Sequence, residues 1–409
     1  MLYTGTLGST TSDDSEILVL NLKTGQSKLV YRGGYNARYL PSGHLVYVRQ
    51  GSLFGLRFDP SRLESRGLPV RLVDDVAANL TSGGADFAVS RTGTLVYHAG
   101  KTNLGIFPMV WIDSSGKTTP LISKPDSYLT PRLSPDGRFL AVAIPTGGGP
   151  DLHVWDIQRQ TLSPLTFNRH ANMHPVWTPD SRHLVFESQW NGSYTLWWAR
   201  ADGASEPRKL LESNTALVTS SMSPDGRRVA YYQVSADTGS DIWTLPLDLS
   251  DPENPKPGTP EPFLRTPSTE GNPAFSPDGR WIAYSSDESR RFEIYVRPFP
   301  PGPGKWEISR DGGNWARFTR DGKQLFYEAA DGHIMVVDYQ AKGVSFLAGN
   351  PRRWTESPIY INGTFAHYDV APDGKRIVAF QGPAGGEEKG SVHVTLMLNF
   401  FDELKRRMP

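Results

Sequence analysis

Polar and aromatic side chains recur at two fixed distances before a repeated tight turn, five and seven residues ahead of its final residue. Residues four and six before that point are apolar or small, so strand alternation predicts that the polar positions share the opposite face. Such groups could surround a channel mouth and bind a small polar or anionic ligand or a peptide end; the alternative is a solvated rim without a ligand. The candidate ligand-binding residues are Arg38, Asp86, Arg132, His174, Asn272, Trp315, Arg317, His367 and Asp369.

No sequence motif assigns a catalytic residue. The Gly-x-Ser-x-Gly nucleophile elbow, the Walker loop, His-Glu-x-x-His and the EF-hand loop are all absent from the sequence. His170 and His174 stand four residues apart, but they precede a strand instead of lying on one helix face, so we do not expect a metal site there. The prediction is a non-catalytic chain without metal or cofactor.

One sequence unit recurs eight times along the chain. Each copy contains a turn such as Ser134-Pro135-Asp136-Gly137, and successive turns are 43 to 53 residues apart, a period typical of four-stranded propeller blades. Proline presets φ, aspartate bonds nearby backbone and glycine adopts the left-handed conformation, so the turn joins adjacent antiparallel strands. Symmetry spaces the turn aspartates around a ring, which favours a structural role over paired catalytic carboxylates. These aspartates are Asp136, Asp180, Asp225, Asp278, Asp321 and Asp373.

The segments after each turn predict the order of strands within a blade. An apolar run such as 281–284 follows each turn and is typical of a strand buried on both faces. A third strand then recurs, and we assign residues 109–112 to the second repeat and 395–398 to the last repeat. Residues 28–31 could supply the missing fourth strand of that last blade. Alternatively, the chain is a truncated member of a larger protein.

The predicted organisation has three parts. Residues 1–35 form a partial blade with its second to fourth strands, because residues 2–4 look like a second strand without a preceding turn. Residues 36–400 contain the propeller repeats. Residues 401–409 form a short tail with one or two helical turns, since its acidic residues come first and its basic residues last.

Composition and the opening residues narrow the classes of partner and the signals for a compartment. Lysine plus arginine and aspartate plus glutamate both number 43, so the net charge is zero and nucleic acid is not an expected partner. The absence of cysteine excludes disulfides and cysteine metal sites but does not decide the compartment. No apolar run approaches the roughly 20 residues of a spanning helix, so we expect no membrane insertion by this segment. The opening residues do not resemble a secretory signal, which implies a cytoplasmic protein or an address upstream.

The repeated pattern Ser-Pro-Asp-Gly-Arg/Lys-x-Ile/Val/Leu-Ala-Tyr/Phe resembles the propeller repeats of the TolB family. Residues 46–54 and 398–405 are similar to the C-terminal, TolB-like region of acidobacterial-type membrane-anchored serine/threonine kinases. The resemblance implies an all-β fold, a β-propeller of four-stranded antiparallel blades. It also implies that any kinase activity lies upstream and that this region is extracytoplasmic or periplasmic if a membrane anchor precedes it. Eight repeat units in one ring are favoured; the alternative is a six-bladed TolB-like ring over 125–400 plus part of a preceding propeller.

The expected function is that of a non-catalytic sensor or protein-interaction module, part of a larger receptor-kinase-like protein. Its expected partner is a protein or peptide, with a small polar or anionic ligand at the channel mouth. One alternative is a free-standing periplasmic TolB-like scaffold. Another is the propeller of a split peptidase or a carbohydrate-acting propeller enzyme, because propellers host many unrelated functions.

Overall fold

The computed structural model describes residues 1–5, 15–79, 84–99, 107–146, 149–168, 170–190, 192–361, 365–380 and 394–408. The first nineteen strands are β1 (Leu2–Gly5), β2 (Glu16–Leu20), β3 (Ser27–Arg32), β4 (Tyr35–Leu40), β5 (His44–Arg49), β6 (Ser52–Asp59), β7 (Glu64–Val73), β8 (Ala78–Asn79), β9 (Gly84–Ala85), β10 (Phe87–Val89), β11 (Leu95–His98), β12 (Phe107–Asp113), β13 (Thr118–Asp126), β14 (Leu129–Leu133), β15 (Phe139–Thr146), β16 (Gly149–Asp156), β17 (Thr161–Pro164), β18 (Ala171–Trp177) and β19 (His183–Trp190). The remaining elements are β20 (Ser193–Arg200), β21 (Arg208–Ser213), β22 (Leu217–Met222), β23 (Arg228–Ser235), β24 (Gly239–Asp248), β25 (Lys256–Pro257), β26 (Glu261–Leu264), β27 (Glu270–Phe275), β28 (Trp281–Ser286), β29 (Glu293–Pro298), β30 (Trp306–Glu307), β31 (Asn314–Phe318), β32 (Gln324–Glu328), β33 (Ile334–Lys342), β34 (Ser345–Ala348), β35 (Arg352–Arg353), β36 (Tyr368–Val370), β37 (Arg376–Phe380), β38 (Val394–Met397) and the helix α1 (Phe400–Arg407).

The chain divides into two compact units. Unit 1 comprises residues 1–106, 145–149 and 383–409, and unit 2 comprises residues 107–144 and 150–382. The predicted stretch of propeller repeats, 36–400, is therefore shared between two units. Among the described residues, no helix is long and apolar enough to cross a membrane.

Unit 2 is built from six antiparallel sheets arranged as propeller blades. Five of them take their strands from one continuous stretch each, beginning with β14, β18, β22, β27 and β31. These first strands are innermost, and each contacts the first strand of the next sheet. Tyr368 on β36 donates a hydrogen bond from its hydroxyl to the carbonyl of Trp315 on β31, at 2.9 Å, which joins the last inner strand to the ring.

The sixth sheet of unit 2 closes the ring with strands from both ends of the unit. Its order is β13-β12-β37-β36, and β12 pairs with β37 in a register that places Trp111 opposite Val378. Closure of this kind satisfies strand edges that would otherwise remain unpaired. Unit 2 therefore has six blades, as the alternative to a single eight-bladed ring predicted, but it begins at residue 107 instead of 125 and does not include residues 383–400.

Two strand assignments from the sequence are wrong because the third strands exchange places. Residues 109–112 lie in β12 and pair with β37, whereas residues 395–398 contribute to β38, which pairs with β11. Residues 28–31 lie in β3 and pair with β2, so they do not complete the last blade. Third strands of all repeats share one local pattern, and that pattern does not specify which second strand each one joins.

Unit 1 contains one complete four-stranded sheet and two three-stranded sheets that resemble incomplete blades. Sheet β4-β5-β6-β7 has four strands, whereas β1-β2-β3 and β10-β11-β38 have three each, and β8 and β9 form a two-stranded ribbon. The predicted helical tail is confirmed as α1, which buries Phe400 and Leu404 completely in the core of this unit. Leu53 and Leu72 belong to the same core cluster.

Burial explains why the second strands are the most apolar. Every residue of β28 is buried, because its two faces pack against adjacent sheets. One core cluster contains Trp281 from β28 and Val296 from β29. The same cluster includes three residues of the next sheet, Leu325, Val337 and Phe346. Burial of each large apolar side chain contributes about 1.5–3 kcal/mol, so packing between sheets is the main stabilising term.

The turn aspartates cap their own turns, as predicted. Asp136 accepts hydrogen bonds from the Ser134 hydroxyl at 2.6 Å and from the Arg138 N–H at 3.0 Å. Asp225 does the same with Ser223 at 2.5 Å and Arg227 at 3.1 Å. Burial opposes ionisation of Asp136, but these hydrogen bonds outweigh it and lower the pKa of the carboxyl.

Candidate functional site

Four of the six innermost strands of unit 2, β14, β18, β27 and β31, share a backbone irregularity at the position seven residues before the last residue of the turn. His174, Asn272 and Trp315 have φ values of 51°, 54° and 51°, in the left-handed region that side-chain-bearing residues rarely adopt. At each of them two residues oppose one on the partner strand, which is a β-bulge. Because bulges change the direction of side chains, strict alternation does not hold here.

The bulges bring several predicted residues to one cavity between the innermost strands. The cavity lies in the central channel of unit 2, and about 380 Å³ of space, including open solvent, is free of protein atoms there. Five of the predicted site residues line it together: Arg132, His174, Asn272, Trp315 and Arg317.

Positions six before the glycine also reach this cavity, contrary to the alternation argument. Pro131 and Pro175 line it beside Thr130 and His174, because the bulge turns two consecutive residues toward the channel. Ala366 contributes a further apolar wall.

The other four predicted residues have different positions. His367 is 2% exposed, and its ring meets that of Trp315 edge to face at a centroid distance of 6.0 Å, so it lies behind the cavity wall. Asp369 is likewise buried and contacts the two arginines of the cavity. Arg38 and Asp86 belong to unit 1, where Asp86 lies 3.6 Å from His98.

Arg132, Asp369 and Arg317 form the charged centre of the site. One oxygen of Asp369 lies 3.3 Å from Nε of Arg317 and 3.9 Å from Nη1 of Arg132. Its second oxygen accepts the backbone N–H of Leu133 at 2.8 Å. Burial and the charge of Arg317 lower the pKa of Arg132 to about 10, although Asp369 opposes this. Two arginine side chains therefore share one carboxylate where little solvent reaches them.

Two histidine–glutamate pairs flank this centre. Nδ1 of His174 lies 3.0 Å from a carboxylate oxygen of Glu187, and Nδ1 of His367 lies 3.5 Å from one of Glu328. Burial raises the pKa of Glu328, while His367 acts in the opposite direction. Neither glutamate was predicted, although each is an acidic residue directly after the apolar run of a second strand. The described residues contain no group of three or more histidine, cysteine, aspartate or glutamate side chains suited to hold a metal ion.

The end of unit 2 at which the innermost strands begin carries exposed apolar side chains; we call it the channel face. Phe167 precedes β18 and is 73% exposed, and Trp190 ends β19 at 49%. The ring of Trp190 stacks on His170 at a centroid distance of 4.6 Å, directly before β18 begins. Val234 and Phe292 lie at the same end, because β23 ends beside the start of β22 and β29 begins beside the start of β27. None of these four residues was predicted from the sequence.

The fold and the position of the cavity define unit 2 as a six-bladed β-propeller with a charged central channel. A family model described as the TolB beta propeller domain matches residues 108–251. An uncharacterized protein of Agrobacterium fabrum is 26% identical over 282 residues, which covers 66% of this chain and 91% of that protein. A protein TolB homolog of Chlorobaculum tepidum is 28% identical over 166 residues, covering 40% of this chain and 36% of the homolog.

A solved structure assigned to TolB from Agrobacterium tumefaciens superimposes with a TM-score of 0.52 at 16% identity, covering 68% of this chain and 98% of that one. The propeller of this chain is therefore TolB-like. This chain spans 36% and 41% of the length of two TolB homologs that it matches.

Proposed function

We propose that unit 2 is a protein-interaction module that binds a polypeptide partner on the channel face and admits a small polar or anionic group of that partner into the channel. The observation that carries the proposal is the convergence of Arg132 from β14 with Trp315 and Arg317 from β31 on one cavity. Convergent polar groups in a concave site are typical of binding. The TolB-like fold supports the same function, since one relative is named as part of a Tol-Pal system.

The exposed apolar residues of the channel face supply the second part of this proposal. Trp190 and Phe167 together offer aromatic surface at the rim, and aromatic side chains are enriched among residues that dominate binding energy. A partner segment with apolar residues and one acidic group would match both the rim and the channel.

A peptide-display selection against the folded protein tests this function. We expect selected peptides to lose about tenfold or more in affinity for Trp190→Ala, which corresponds to about 1.4 kcal/mol. The matched control is Val344→Ala, because Val344 is 84% exposed in the β33–β34 hairpin at the opposite face of unit 2. Equal binding to both variants, or no selected peptide, would contradict the proposal.

We further propose that this module senses its partner as the extracytoplasmic part of a larger receptor-kinase-like protein. The support is the likeness of residues 46–54 and 398–405 to the propeller region of membrane-anchored kinases. Sequencing of the genomic DNA upstream of Met1 tests this proposal. An in-frame kinase domain followed by a membrane helix is expected, whereas a stop codon directly before Met1 would favour a free-standing TolB-like scaffold.

A further inference from the structure

We infer that the group admitted to the channel of unit 2 is a single carboxylate on a short apolar stem, held between Arg132 and Arg317. This inference rests on the proposed function in taking the channel as the binding site. It goes further by naming the ligand chemistry and the two residues that recognise it.

The charge at the centre of the channel favours a monoanion. Arg132 and Arg317 bring two positive charges, and Asp369 brings one negative charge that both arginines share. The adjacent His174 has its own carboxylate partner in Glu187, 3.0 Å away. Arg132, Arg317 and Asp369 together carry one net positive charge, which a carboxylate would neutralise and a phosphate dianion would overcompensate.

The available hydrogen-bond donors point to the same ligand. Nη2 of Arg132 donates to the carbonyl of Ser220 at 2.7 Å, and Nη1 of Arg317 donates to that of Ala316 at 2.9 Å. Nη1 of Arg132 and Nε of Arg317 face one oxygen of Asp369 at 3.9 and 3.3 Å, but among the described residues neither nitrogen makes a hydrogen bond to it. A buried charged donor that makes no hydrogen bond is costly, so a second carboxylate beside Asp369 would supply the acceptor that these two donors lack.

Two neutral polar groups of the cavity are already engaged, whereas the hydroxyl of Thr130 is buried without a hydrogen bond among the described residues. The amide nitrogen of Asn272 donates to the side-chain oxygen of Asn314 at 2.8 Å, and the hydroxyl of Thr219 donates to the carbonyl of His174. Pro131 and Pro175 add apolar wall without N–H groups. The lining therefore suits an apolar stem with a charged end better than a polyhydroxylated ligand.

Titration with sodium acetate tests the inference on the full chain. Arginine side-chain N–H resonances, recorded with ¹⁵N-labelled arginine, should move saturably for Arg132 and Arg317 in acetate. Sodium chloride at equal ionic strength and the neutral isostere acetamide should not cause this movement. Saturable, equal movement in chloride would overturn the inference, because it would indicate a general anion effect.

Matched variants separate recognition from folding. Arg317→Gln should weaken acetate binding about tenfold or more, which is about 1.4 kcal/mol. Arg38→Gln is the control, since Arg38 stands at the equivalent position before its turn but belongs to unit 1, and acetate binding should be unchanged. If Arg317→Gln fails to fold, Arg317→Lys retains the charge, and it should bind acetate less tightly because the planar donor pair is lost. Unchanged affinity in a folded Arg317 variant would overturn the inference.

Peptide probes distinguish the source of the carboxylate and the failure of each proposal. A short peptide with a free carboxyl terminus, its amidated form and its form with an internal glutamate separate a chain terminus from a side chain. If displayed peptides require Trp190 but tolerate Arg317→Gln, the carboxylate inference fails and the interaction function stands. If acetate binds through Arg317 but no peptide binds, the interaction function fails instead.

Discussion

Units 1 and 2 are built from the same repeat but differ in how their sheets end. In unit 2 each of the six sheets has at least four strands, and β12 and β37 join the two ends of the ring. In unit 1 two sheets have three strands, and β38 leaves Val394 and Leu396 exposed by 54% and 61%. A repeat therefore specifies a blade, whereas closure depends on which distant strands pair.

The same comparison applies to the site. Arg38 and Arg132 occupy equivalent positions before their turns, but Arg38 is exposed and Arg132 lines the channel cavity. A ring of inner strands brings side chains from several blades together, and this convergence creates the candidate site. A residue type at a repeat position therefore indicates a possible ligand contact only within a closed ring.

Disruption of the closing sheet should have the largest effect on unit 2. Val378→Asp places a carboxylate where no part of the side chain is exposed, opposite Trp111 in the pairing that closes the ring. We expect a loss of about 4 kcal/mol in the free energy of unfolding. Urea unfolding followed by tryptophan fluorescence measures it, with Val344→Asp at an exposed turn as control. A midpoint equal to that of the unmodified protein would contradict the role of closure.

Removal of the shared carboxylate should have the next largest effect. Asp369→Ala leaves Arg132 and Arg317 buried without their anion, and we expect a loss of about 3 kcal/mol. Asp86→Ala is the matched change in unit 1, where the side chain is 69% exposed, and it should alter stability by less than about 0.5 kcal/mol. Similar losses of stability in both variants would show that an aspartate inside the closed ring matters no more for folding than its counterpart in unit 1.

Loss of one turn aspartate should have a moderate effect. Asp225→Ala removes the acceptor for the Ser223 hydroxyl and the Arg227 N–H, so we expect about 1 kcal/mol of destabilisation. Thermal unfolding measures the change, and Asp225→Asn, which retains an acceptor oxygen, should recover part of it. A loss of ligand binding without loss of stability would instead indicate a functional role for this aspartate.

A change on the exposed strand of unit 1 should have the smallest effect. Leu396→Ser replaces an apolar side chain that is 61% exposed on β38, so we expect a change within about 0.5 kcal/mol. Hydrogen exchange of β11 and β38 measures it locally. A large increase in exchange would show that Leu396 is covered in the protein in solution, and it would weaken the contrast between the two units.

The sequence predicted much of the fold and part of the candidate site. The period, the turns, the apolar second strands and the helical tail follow from local patterns that tertiary contacts reinforce. Arg132, His174, Asn272, Trp315 and Arg317 were predicted and lie together. The contributions of Pro131 and Pro175 could not be predicted, because a β-bulge interrupts the alternation on which the argument depended.

Local sequence specified the blade, since turn chemistry and strand hydrophobicity act within one repeat of 43 to 53 residues. Only the tertiary structure decided that β12 joins β37 and that β38 joins β11, because equivalent strands carry the same pattern and compete for the same partners. It also decided that Arg132 and Arg317 share Asp369, a contact between residues as much as 237 positions apart. Local sequence cannot encode such pairings, because they form only when the inner strands of separate blades meet around one channel.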